Sequence, residues 1–366
     1  MTSAARLIPL ASDTETQPTP AMREAIARAE VGDEQRGEDP TVNRLQERVA
    51  ELLGTEAALW LPGGTMCNLV AIKAHTRPTD AIVAESMAHI VRAESGGAAF
   101  VCGVLVEPIT TVRGIFTPEE LRHALDRLRT TPAPYASPAR LVCVEQTHNF
   151  GGGAVWSLGE LSAISKLAKD EGLAVHMDGA RLLNACVATG VPAASFGALV
   201  DTLWIDFTKG LGAPIGAVLA GSRAFIAEAR RYKHIFGGAM RQAGIAAAGC
   251  LHALDHHVER LAQDHANARR LARGLSQIQG IAVSTAQPES NIVFFDPSGT
   301  GLAKQEFLEA LSARGIRMGL VGERIRAVTH LDVSAQDIDA AISAVADIAI
   351  SPRRASQRHS AARSGY

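Results

Sequence analysis

The sequence is poor in the features that mark several classes of protein. Aromatic residues make up only 4% of its 366 residues, which does not suit an all-β sandwich. No apolar run reaches the roughly 18 residues that a membrane helix needs, and no basic-then-apolar leader opens the chain. The net charge of −2 at pH 7 gives no electrostatic basis for binding nucleic acid. We therefore predict a cytoplasmic protein that binds neither membranes nor nucleic acid.

Cysteine is also scarce, and its spacing carries no motif. The five cysteines are odd in number, and no CxxC or His/Cys cluster occurs. We predict no disulfide framework and no metal site, with each cysteine serving as a small apolar residue in a reducing compartment. The cysteines stand at 67, 102, 143, 186 and 250.

Abundant Ala, Leu, Val and Gly instead form short apolar runs bounded by turn residues. Continuous apolarity is typical of strands that are covered on both faces, as in a parallel sheet. Helical segments lie between the runs, so the pattern predicts a doubly wound α/β domain. The runs are 57–61, 81–84, 99–106, 140–145, 173–177, 202–207 and 215–220.

Two of the intervening helices have clear start and stop signals. Asp39 and Pro40 supply an N-cap and a first-turn proline, and Gly54 ends that helix. Ser157 opens another helix, which Gly172 closes. Because a chain of this length is long for one core, we predict a large α/β domain over residues 1–250 that includes an N-terminal arm.

The pattern changes after residue 250. A long Ala/His/Arg-rich helix precedes short strands near 280–283 and 291–295, a helix at 302–313, a strand near 324–329 and a helix near 334–348. These elements predict a smaller α+β domain over residues 251–350. Residues 351–366 hold four arginines and no acid, which predicts a disordered basic tail.

The most informative stretch places Lys209 after the apolar run 202–207 and before a Gly/Pro-rich turn. Upstream, the segment Ala174–Arg181 ends an apolar run with Asp178, a glycine and Arg181. Pyridoxal phosphate requires a lysine that links to it covalently and a carboxylate against its pyridine nitrogen. The alternative for Lys209 is an ordinary surface lysine in a loop. The acid and arginine one βα unit upstream favour the cofactor.

Two further segments fit the same cofactor. The segment Leu61–Asn68 follows a strand and opens a helix, where backbone N–H groups near Gly64 and the Thr65 hydroxyl make an anion site. The alternative is an ordinary strand-to-helix turn. His89 follows the run 81–84 and could stack on a cofactor and move protons, although a lone histidine is usually structural.

These motifs together resemble the low-specificity L-threonine aldolases, in the β-eliminating lyase group of fold-type I pyridoxal phosphate enzymes. The resemblance runs from about Leu10 to about Ile348. The matching motifs are Ser12-Asp-Thr, Val31-Gly-Asp, Gly37-Glu-Asp-Pro-Thr-Val42, Gly64-Thr-Met, Glu145-Gln-Thr-His-Asn149, Met177-Asp-Gly-Ala-Arg-Leu-Leu-Asn-Ala185, Lys209-Gly-Leu-Gly-Ala-Pro, Met240-Arg-Gln-Ala-Gly244 and Val328-Thr-His-Leu-Asp-Val333.

The resemblance implies a fold and a cofactor site. The fold is a fold-type I transferase-like α/β architecture, with a mostly parallel seven-stranded sheet, helices on both faces and a smaller α+β C-terminal domain. Lys209 would carry pyridoxal phosphate, and Asp178 would pair with the ring nitrogen. Gly64 and Thr65 would hold the phosphate. His89 would stack over the ring and help the substrate's β-hydroxyl lose its proton.

The resemblance also implies the substrate contacts and the assembly. Ser12, Arg181 and Arg326 would bind the carboxylate of the amino acid, and Arg181 could instead reach the phenolic oxygen of the cofactor. Arg324, two residues before Arg326, should share its strand face by the period of two. Arg241 would reach the phosphate of a neighbouring subunit in a homotetramer, a dimer of dimers with shared active sites.

The implied activity is retro-aldol cleavage of a β-hydroxy-α-amino acid such as threonine or allo-threonine, which gives glycine and an aldehyde. One alternative keeps the cofactor and performs β-elimination, which gives a keto acid and ammonia. Another is a non-catalytic binding or assembly protein, against which the lysine, aspartate and arginine set argues. The sequence leaves the side chain of the substrate and the stereochemistry at Cβ open.

Several residues depart from the family pattern around the expected pocket. Arg36 stands where a tyrosine is usual, and it would put a cation near the substrate unless Glu15, itself a departure, pairs with it. His234 replaces a common lysine, and Tyr135 stands near the place of an absent histidine. The glycine-rich run reads Gly237-Gly-Ala-Met. We expect Arg36 to affect which substrate is bound.

Overall fold

The computed structural model describes residues 6–350, so the predicted basic tail, 351–366, lies outside the described residues. The strands are β1 (Ile8–Pro9), β2 (Ala57–Leu61), β3 (Ala81–Glu85), β4 (Leu105–Ile109), β5 (Ala139–Glu145), β6 (Ala174–Gly179), β7 (Thr202–Asp206), β8 (Ala217–Gly221), β9 (Ala282–Val283), β10 (Ile292–Asp296), β11 (Ile316–Arg317), β12 (Gly319–Val321) and β13 (Arg324–Val328).

Helices cover the strands and connect them. They are α1 (Pro20–Ala27), α2 (Pro40–Leu53), α3 (Gly64–His75), α4 (His89–Arg92), α5 (Pro118–Arg129), α6 (Leu158–Asp170), α7 (Leu182–Thr189), α8 (Ala193–Gly197), α9 (Arg223–Ile235), α10 (Gly244–His256), α11 (Leu261–Ser276), α12 (Lys304–Ser312) and α13 (Ala335–Ile350). Within residues 6–350, no helix is both long enough and apolar enough to cross a membrane.

The largest sheet has seven strands in the order β2-β8-β7-β6-β5-β3-β4. Strands β3 to β7 pair in parallel, whereas β8 runs antiparallel to both of its neighbours. The predicted mostly parallel seven-stranded sheet is confirmed. Since ligands of such sheets bind beyond the carboxyl ends of the strands, the residues that follow β3, β5, β6 and β7 are placed to form a site.

The predicted helix signals act as expected. The Asp39 carboxylate accepts from the N–H groups of Thr41 and Val42 at the start of α2, and Gly54 ends that helix with φ of 67°, which favours glycine. At α6, Ser157 and Glu160 form a reciprocal capping box. Local capping chemistry therefore fixes where these two covering helices begin.

Two predicted elements are wrong. The run 99–106 is not one strand, because Ala98–Cys102 forms a π-helical turn and the strand β4 starts only at Leu105. Gly103, with φ of 73°, separates the two, and a short apolar run cannot distinguish a helical turn from a strand. The long helix expected from residue 251 is instead two helices, α10 and α11. His257 ends α10 and binds the carbonyl oxygen of Leu211 at 2.7 Å.

A second apolar core gathers the C-terminal elements. It packs α11, α12 and α13 against the antiparallel sheet β12-β13-β10-β9. The first strand of the N-terminal arm, β1, pairs in parallel with β11 and so belongs to this part of the molecule. The predicted boundary at residue 250 falls inside α10, and the division into domains stays a prediction.

Candidate active site

Lys209 lies just beyond the carboxyl end of β7. Its Nζ forms an ion pair with the carboxylate of Asp206, the last residue of that strand. Nζ also lies 5.8 Å from the centre of the Trp204 ring. Because the side chain is part-buried, with 18% of its surface exposed, its amine is reachable yet held in place.

Asp178 lies near the carboxyl end of the neighbouring strand β6, opposite Trp204, and is buried. Its Oδ2 accepts from Asn68 Nδ2 at 2.8 Å, and its Oδ1 accepts from the backbone N–H of Ala180 at 3.0 Å. Burial, joined by the charge of Glu145, raises the pKa of Asp178 to about 6. The carboxylate is thus poised to gain a cationic partner.

His89 begins the short helix α4 after β3. Its Nδ1 lies 2.9 Å from Glu94 Oε1, and the same oxygen accepts from Asn68 Nδ2 at 2.7 Å. One ligand atom each of His89, Glu94 and Asp178 lies within 4.8 Å of the others. The hydrogen bond that His89 donates to Glu94 raises the pKa of His89 against the effect of burial. We call His89, Glu94, Asn68 and Asp178 the ring cluster.

The orientation of Asn68 in the ring cluster is fixed by its other neighbours. Trp204 Nε1, which can only donate, lies 2.8 Å from Asn68 Oδ1. His176 Nε2 lies 3.2 Å from the same oxygen, and burial lowers the pKa of His176 to about 3, which keeps that ring neutral. The amide nitrogen of Asn68 must therefore face the two carboxylates, as only a donor could.

Four residues form a second group, the arginine cluster: Asp13, Asn149, Arg181 and Arg326. Asp13 accepts from Nε and Nη2 of Arg181, at 2.7 Å each. Arg326 donates from Nη1 to Asn149 Oδ1 at 2.9 Å and from Nη2 to the carbonyl oxygen of Ala11 at 2.9 Å. Its buried Nε has no partner among the described residues. Arg181 also donates to Asn149 Oδ1, at 3.4 Å, so the two guanidinium groups share this amide oxygen, and only Arg181 bonds the Asp13 carboxylate.

Glu145, at the carboxyl end of β5, joins the two clusters. One of its oxygens accepts from the backbone N–H of His89 at 2.7 Å, and the other accepts from that of Asn149 at 2.8 Å. Ser12 lies in the arm between Ala11 and Asp13, and its hydroxyl caps the turn that follows by accepting from Thr14 N. The structure therefore brings five predicted residues into adjoining positions: Ser12, His89, Asp178, Arg181 and Arg326.

The predicted phosphate residues stand at the start of α3. A Cβ on Gly64 would lie 2.3 Å from the Trp204 ring, so only glycine fits there. Gly64 and Lys209 thus both adjoin Trp204. Gly63, the N-cap residue, has no side chain, and Thr65 is exposed. The first N–H groups of a helix have no partner within the helix and can bind an anion.

Arg36 and Arg241 lie apart from these clusters in the described contacts. Both pair with Asp33, at 3.8 Å for Arg36 and 2.9 Å for Arg241, and their side chains are 72% and 61% exposed. The proposed pairing of Glu15 with Arg36 is wrong, because Glu15 pairs with Arg317 at 2.5 Å. Among the described residues, the ion-pair partner of Arg36 is Asp33, while Arg317 of β11 reaches Glu15 beside the arm.

Arg324 and Arg326 share a strand face, as the period of two predicts. Their positions alternate with buried residues along β13. Arg324 lies over the Phe294 ring, 4.3 Å from its centre, and donates to the Phe150 carbonyl oxygen at 3.2 Å. Its guanidinium is thus already engaged, while Arg326 keeps a free donor.

Several polar residues that orient the predicted ones had no role assigned from the sequence. Asp13, Glu145 and Asn149 stand inside motifs that carry the family resemblance, so those motifs were the signal. Asn68 had a weaker signal, a polar side chain among the apolar residues of α3. Glu94 had none, since it follows a four-residue helix in a polar segment.

These residues fit pyridoxal phosphate. In the ring cluster a buried carboxylate receives only neutral donors, which leaves it suited to a protonated pyridine nitrogen. Lys209 supplies an accessible amine at the end of the next strand, and the start of α3 supplies an anion site. The donor set thus matches the charges of the ring, aldehyde and phosphate of the cofactor.

The comparisons with known proteins agree with this chemistry. The family model described as beta-eliminating lyase matches residues 9–298. Low-specificity L-threonine aldolase 1 of Arabidopsis thaliana is 38% identical over 345 residues, which cover 92% of this chain and 95% of the relative. The low specificity L-threonine aldolase of Escherichia coli K12 is 36% identical over 335 residues, with 91% and 96% covered.

The fold has solved counterparts. The structure of Leishmania major threonine aldolase matches with a TM-score of 0.79 at 22% identity, covering 93% of this chain and 99% of that one. That likeness bears on the fold, whereas the sequence matches over nearly the whole chain establish kinship. The chain belongs to the beta-eliminating lyase family, among the relatives named low-specificity L-threonine aldolase, and is a pyridoxal phosphate-dependent lyase.

Proposed function

We propose that the protein cleaves β-hydroxy-α-amino acids of the threonine and allo-threonine type into glycine and an aldehyde. The observation that carries the proposal is the arginine cluster, where Arg181 and Arg326 both donate to Asn149 Oδ1 and only Arg181 bonds a carboxylate, that of Asp13. A buried excess of positive charge requires an anion, and the carboxylate of an amino acid provides one.

Arg326 is the first candidate to bind that carboxylate. Its Nε is buried without a partner, and burial and the charge of Arg181 lower its pKa. Arg181 is held by Asp13 along one edge, which leaves its outer edge with a single contact of 3.4 Å to Asn149. Ser12 lies in the adjoining turn and can add a hydroxyl donor.

When bound, pyridoxal phosphate supplies an electron sink for the bonding pair left on Cα. Lys209 would hold the cofactor, and Asp178 would keep the ring nitrogen protonated, since its buried carboxylate accepts hydrogen bonds from the neutral donors Asn68 and Ala180. His89 lies beside Asp178 and is the base for the β-hydroxyl proton. Arg326 fixes the substrate's carboxylate, so that the Cα–Cβ bond is oriented for cleavage.

Product analysis tests this function. The purified protein with pyridoxal phosphate and threonine is expected to release glycine and acetaldehyde in equal amounts. Ammonia and 2-oxobutanoate in place of glycine would establish β-elimination. A protein that binds the cofactor but consumes none of a panel of β-hydroxy amino acids would be a non-catalytic relative.

We also propose a homotetramer in which Arg241 serves the active site of a neighbouring subunit. Arg241 is largely exposed and bonds only Asp33 through its side chain in the contacts described, so its guanidinium remains available. Dilution to monomers should weaken cofactor affinity and activity together, as measured by sizing and assay of one sample. A fully active monomer would contradict shared sites. The cytoplasm remains the proposed compartment, since all five cysteines are free thiols.

A further inference from the structure

We propose that Glu94 is a positioning residue that makes Nε2 of His89 the proton acceptor and supports the imidazolium that forms. The inference rests on the proposed function, because it assigns the atom that takes the hydroxyl proton. It stands on the geometry of the ring cluster, in which a chain of hydrogen bonds runs from His89 through Glu94 and Asn68 to Asp178.

The neutral imidazole of His89 carries its hydrogen on one of two ring nitrogens, and the hydrogen bonds of the ring cluster decide which one. Glu94 Oε1 receives an N–H from Asn68 at 2.7 Å, so this oxygen acts as an acceptor. The contact of 2.9 Å to His89 Nδ1 then requires the hydrogen on Nδ1. The neutral ring must carry its lone pair on Nε2, and Nε2 is the atom that can accept a proton.

The imidazole of His89 gains a positive charge when it accepts the proton. When Nε2 takes the hydroxyl proton, the O–H pair becomes the second bond of the aldehyde C=O, and the Cα–Cβ pair remains on Cα. His89 becomes a cation, and the 1%-exposed carboxylate of Glu94 stabilises it at hydrogen-bond distance. A carboxylate behind a histidine performs this role in hydrolases as well.

Asn68 keeps the carboxylate of Glu94 in place. Asn68 donates both amide hydrogens, one to Glu94 and one to Asp178, and its oxygen is held by Trp204 and His176. Asn68 thus separates two buried carboxylates and binds each one. The charged groups that act on His89 are Glu94, Asp178 and Glu145, from three different parts of the chain.

The test is the pH dependence of kcat in Glu94→Gln and Glu94→Asp. Gln keeps an acceptor but loses the charge, so the pKa of His89 should fall and the acid limb of the kcat profile should move to lower pH. The plateau kcat should drop on the order of 10- to 100-fold, with KM changed less than about twofold. The aspartate side chain is one methylene shorter, so its carboxylate lies farther from His89. The acid limb should therefore move to lower pH in Glu94→Asp as well, but by less than in Glu94→Gln.

A second measurement separates positioning from folding. Histidine NMR of the holoenzyme, with the His89 signal assigned from a His89→Gln sample, should show the same lowering of the His89 pKa without any turnover. The matched control is Glu107→Gln on β4, which removes a carboxylate that pairs with Arg127 at 2.7 Å and should move neither limb nor signal.

The outcomes are distinct. An acid limb and His89 signal that stay at their wild-type positions in either folded variant would overturn the role of Glu94, even if kcat falls. If Glu94→Gln does not fold, the smaller shift in Glu94→Asp decides. Failure of the wild-type enzyme to release glycine would instead overturn the proposed function, since the NMR arm needs no substrate.

Discussion

The ring cluster and the arginine cluster lie side by side and carry opposite imbalances of charge. The ring cluster places Glu94 and Asp178 against one imidazole, whereas the arginine cluster gathers two guanidinium groups at Asn149 with one carboxylate, Asp13, which bonds Arg181. Each imbalance would be costly in a buried site without a ligand of the opposite sign. The first suits a cationic ring and the second suits an anionic substrate.

The opposite charges of the two clusters indicate how the pocket would orient the cofactor ring and the substrate. We expect the substrate carboxylate to lie on one side of Glu145 and the pyridine ring on the other, which would place the reacting carbons between them. Electrostatic sorting of this kind holds geometry before any bond is broken.

The largest expected effect comes from Lys209, which we propose as the anchor of the cofactor. Lys209→Ala should reduce turnover below detection, because no other described amine ends β7 beside Trp204. Borohydride reduction followed by mass spectrometry should no longer find cofactor bound covalently. Lys166→Ala, at an exposed pair with Asp170 on α6, is the control and should behave as wild type. Near-normal activity of Lys209→Ala would refute the assignment.

Replacing a guanidinium group of the arginine cluster should weaken substrate binding and leave cofactor binding unchanged. Arg326→Lys should raise KM roughly tenfold or more, since an ammonium lacks the planar fork, while cofactor affinity stays intact. Arg324→Lys, on the same strand face, is the matched control, because its guanidinium stacks on Phe294. Steady-state kinetics and a cofactor titration check both. An unchanged KM in Arg326→Lys would make that residue structural.

In the cofactor-free enzyme, neutralising Asp178 of the ring cluster and neutralising Asp13 of the arginine cluster should change the stability of the fold in opposite directions. The pKa of Asp178 is raised to about 6, so the folded state holds its proton longer than the unfolded state, and stability falls as pH rises from about 4 through 6. Burial would also raise the pKa of Asp13, but Arg181 outweighs it and holds that pKa well below the usual range. The stability from Asp13 is therefore present at neutral pH and lost as pH falls below about 4.

Thermal unfolding of the apoenzymes at pH 7 checks this contrast. Asp178→Asn should raise Tm and Asp13→Asn should lower it, each by an amount that corresponds to roughly 1–3 kcal/mol. The gain in Asp178→Asn should shrink as the pH is lowered below 6. Shifts of the same sign in both variants would contradict opposite charge imbalances.

The smallest expected effect concerns Arg36, which lies outside both clusters with Asp33 as its ion-pair partner at 3.8 Å. If it adds a cation near the substrate, Arg36→Tyr should lower the preference for β-hydroxyaspartate over threonine by about a fewfold in kcat/KM. Arg28→Tyr, at an exposed pair with Glu24, is the control. An unchanged ratio would remove Arg36 from substrate selection.

Strand-end chemistry could be predicted from the sequence because it depends on local pattern. Asp178 and Lys209 follow apolar runs directly, and the shared face of Arg324 and Arg326 follows from a period of two. The run 99–106 misled because apolarity alone does not separate a helical turn from a strand. The positions of these residues could be predicted because one short segment carried the whole signal, whereas their roles stay predictions.

The supporting contacts could not be predicted, because they join distant segments. Asn68 meets Glu94 and Asp178 from 26 and 110 residues away, and Arg181 meets Asp13 from 168 residues away. Glu15 was matched to Arg36 on charge alone, while β1 and β11 actually bring Arg317 to it. Charge complementarity without topology leaves several partners possible.

The pairing of β1 with β11 has a consequence for biosynthesis. The arm that carries Ser12 and Asp13 is synthesised before the large sheet, yet its partner strand is made about 300 residues later, roughly 15 to 60 s at ordinary elongation rates. Through that interval β1 lacks β11, while the sheet from β2 to β8 can already form. The residues of the ring cluster, which all precede β8 in the chain, can therefore come together well before β11 brings the arm into place.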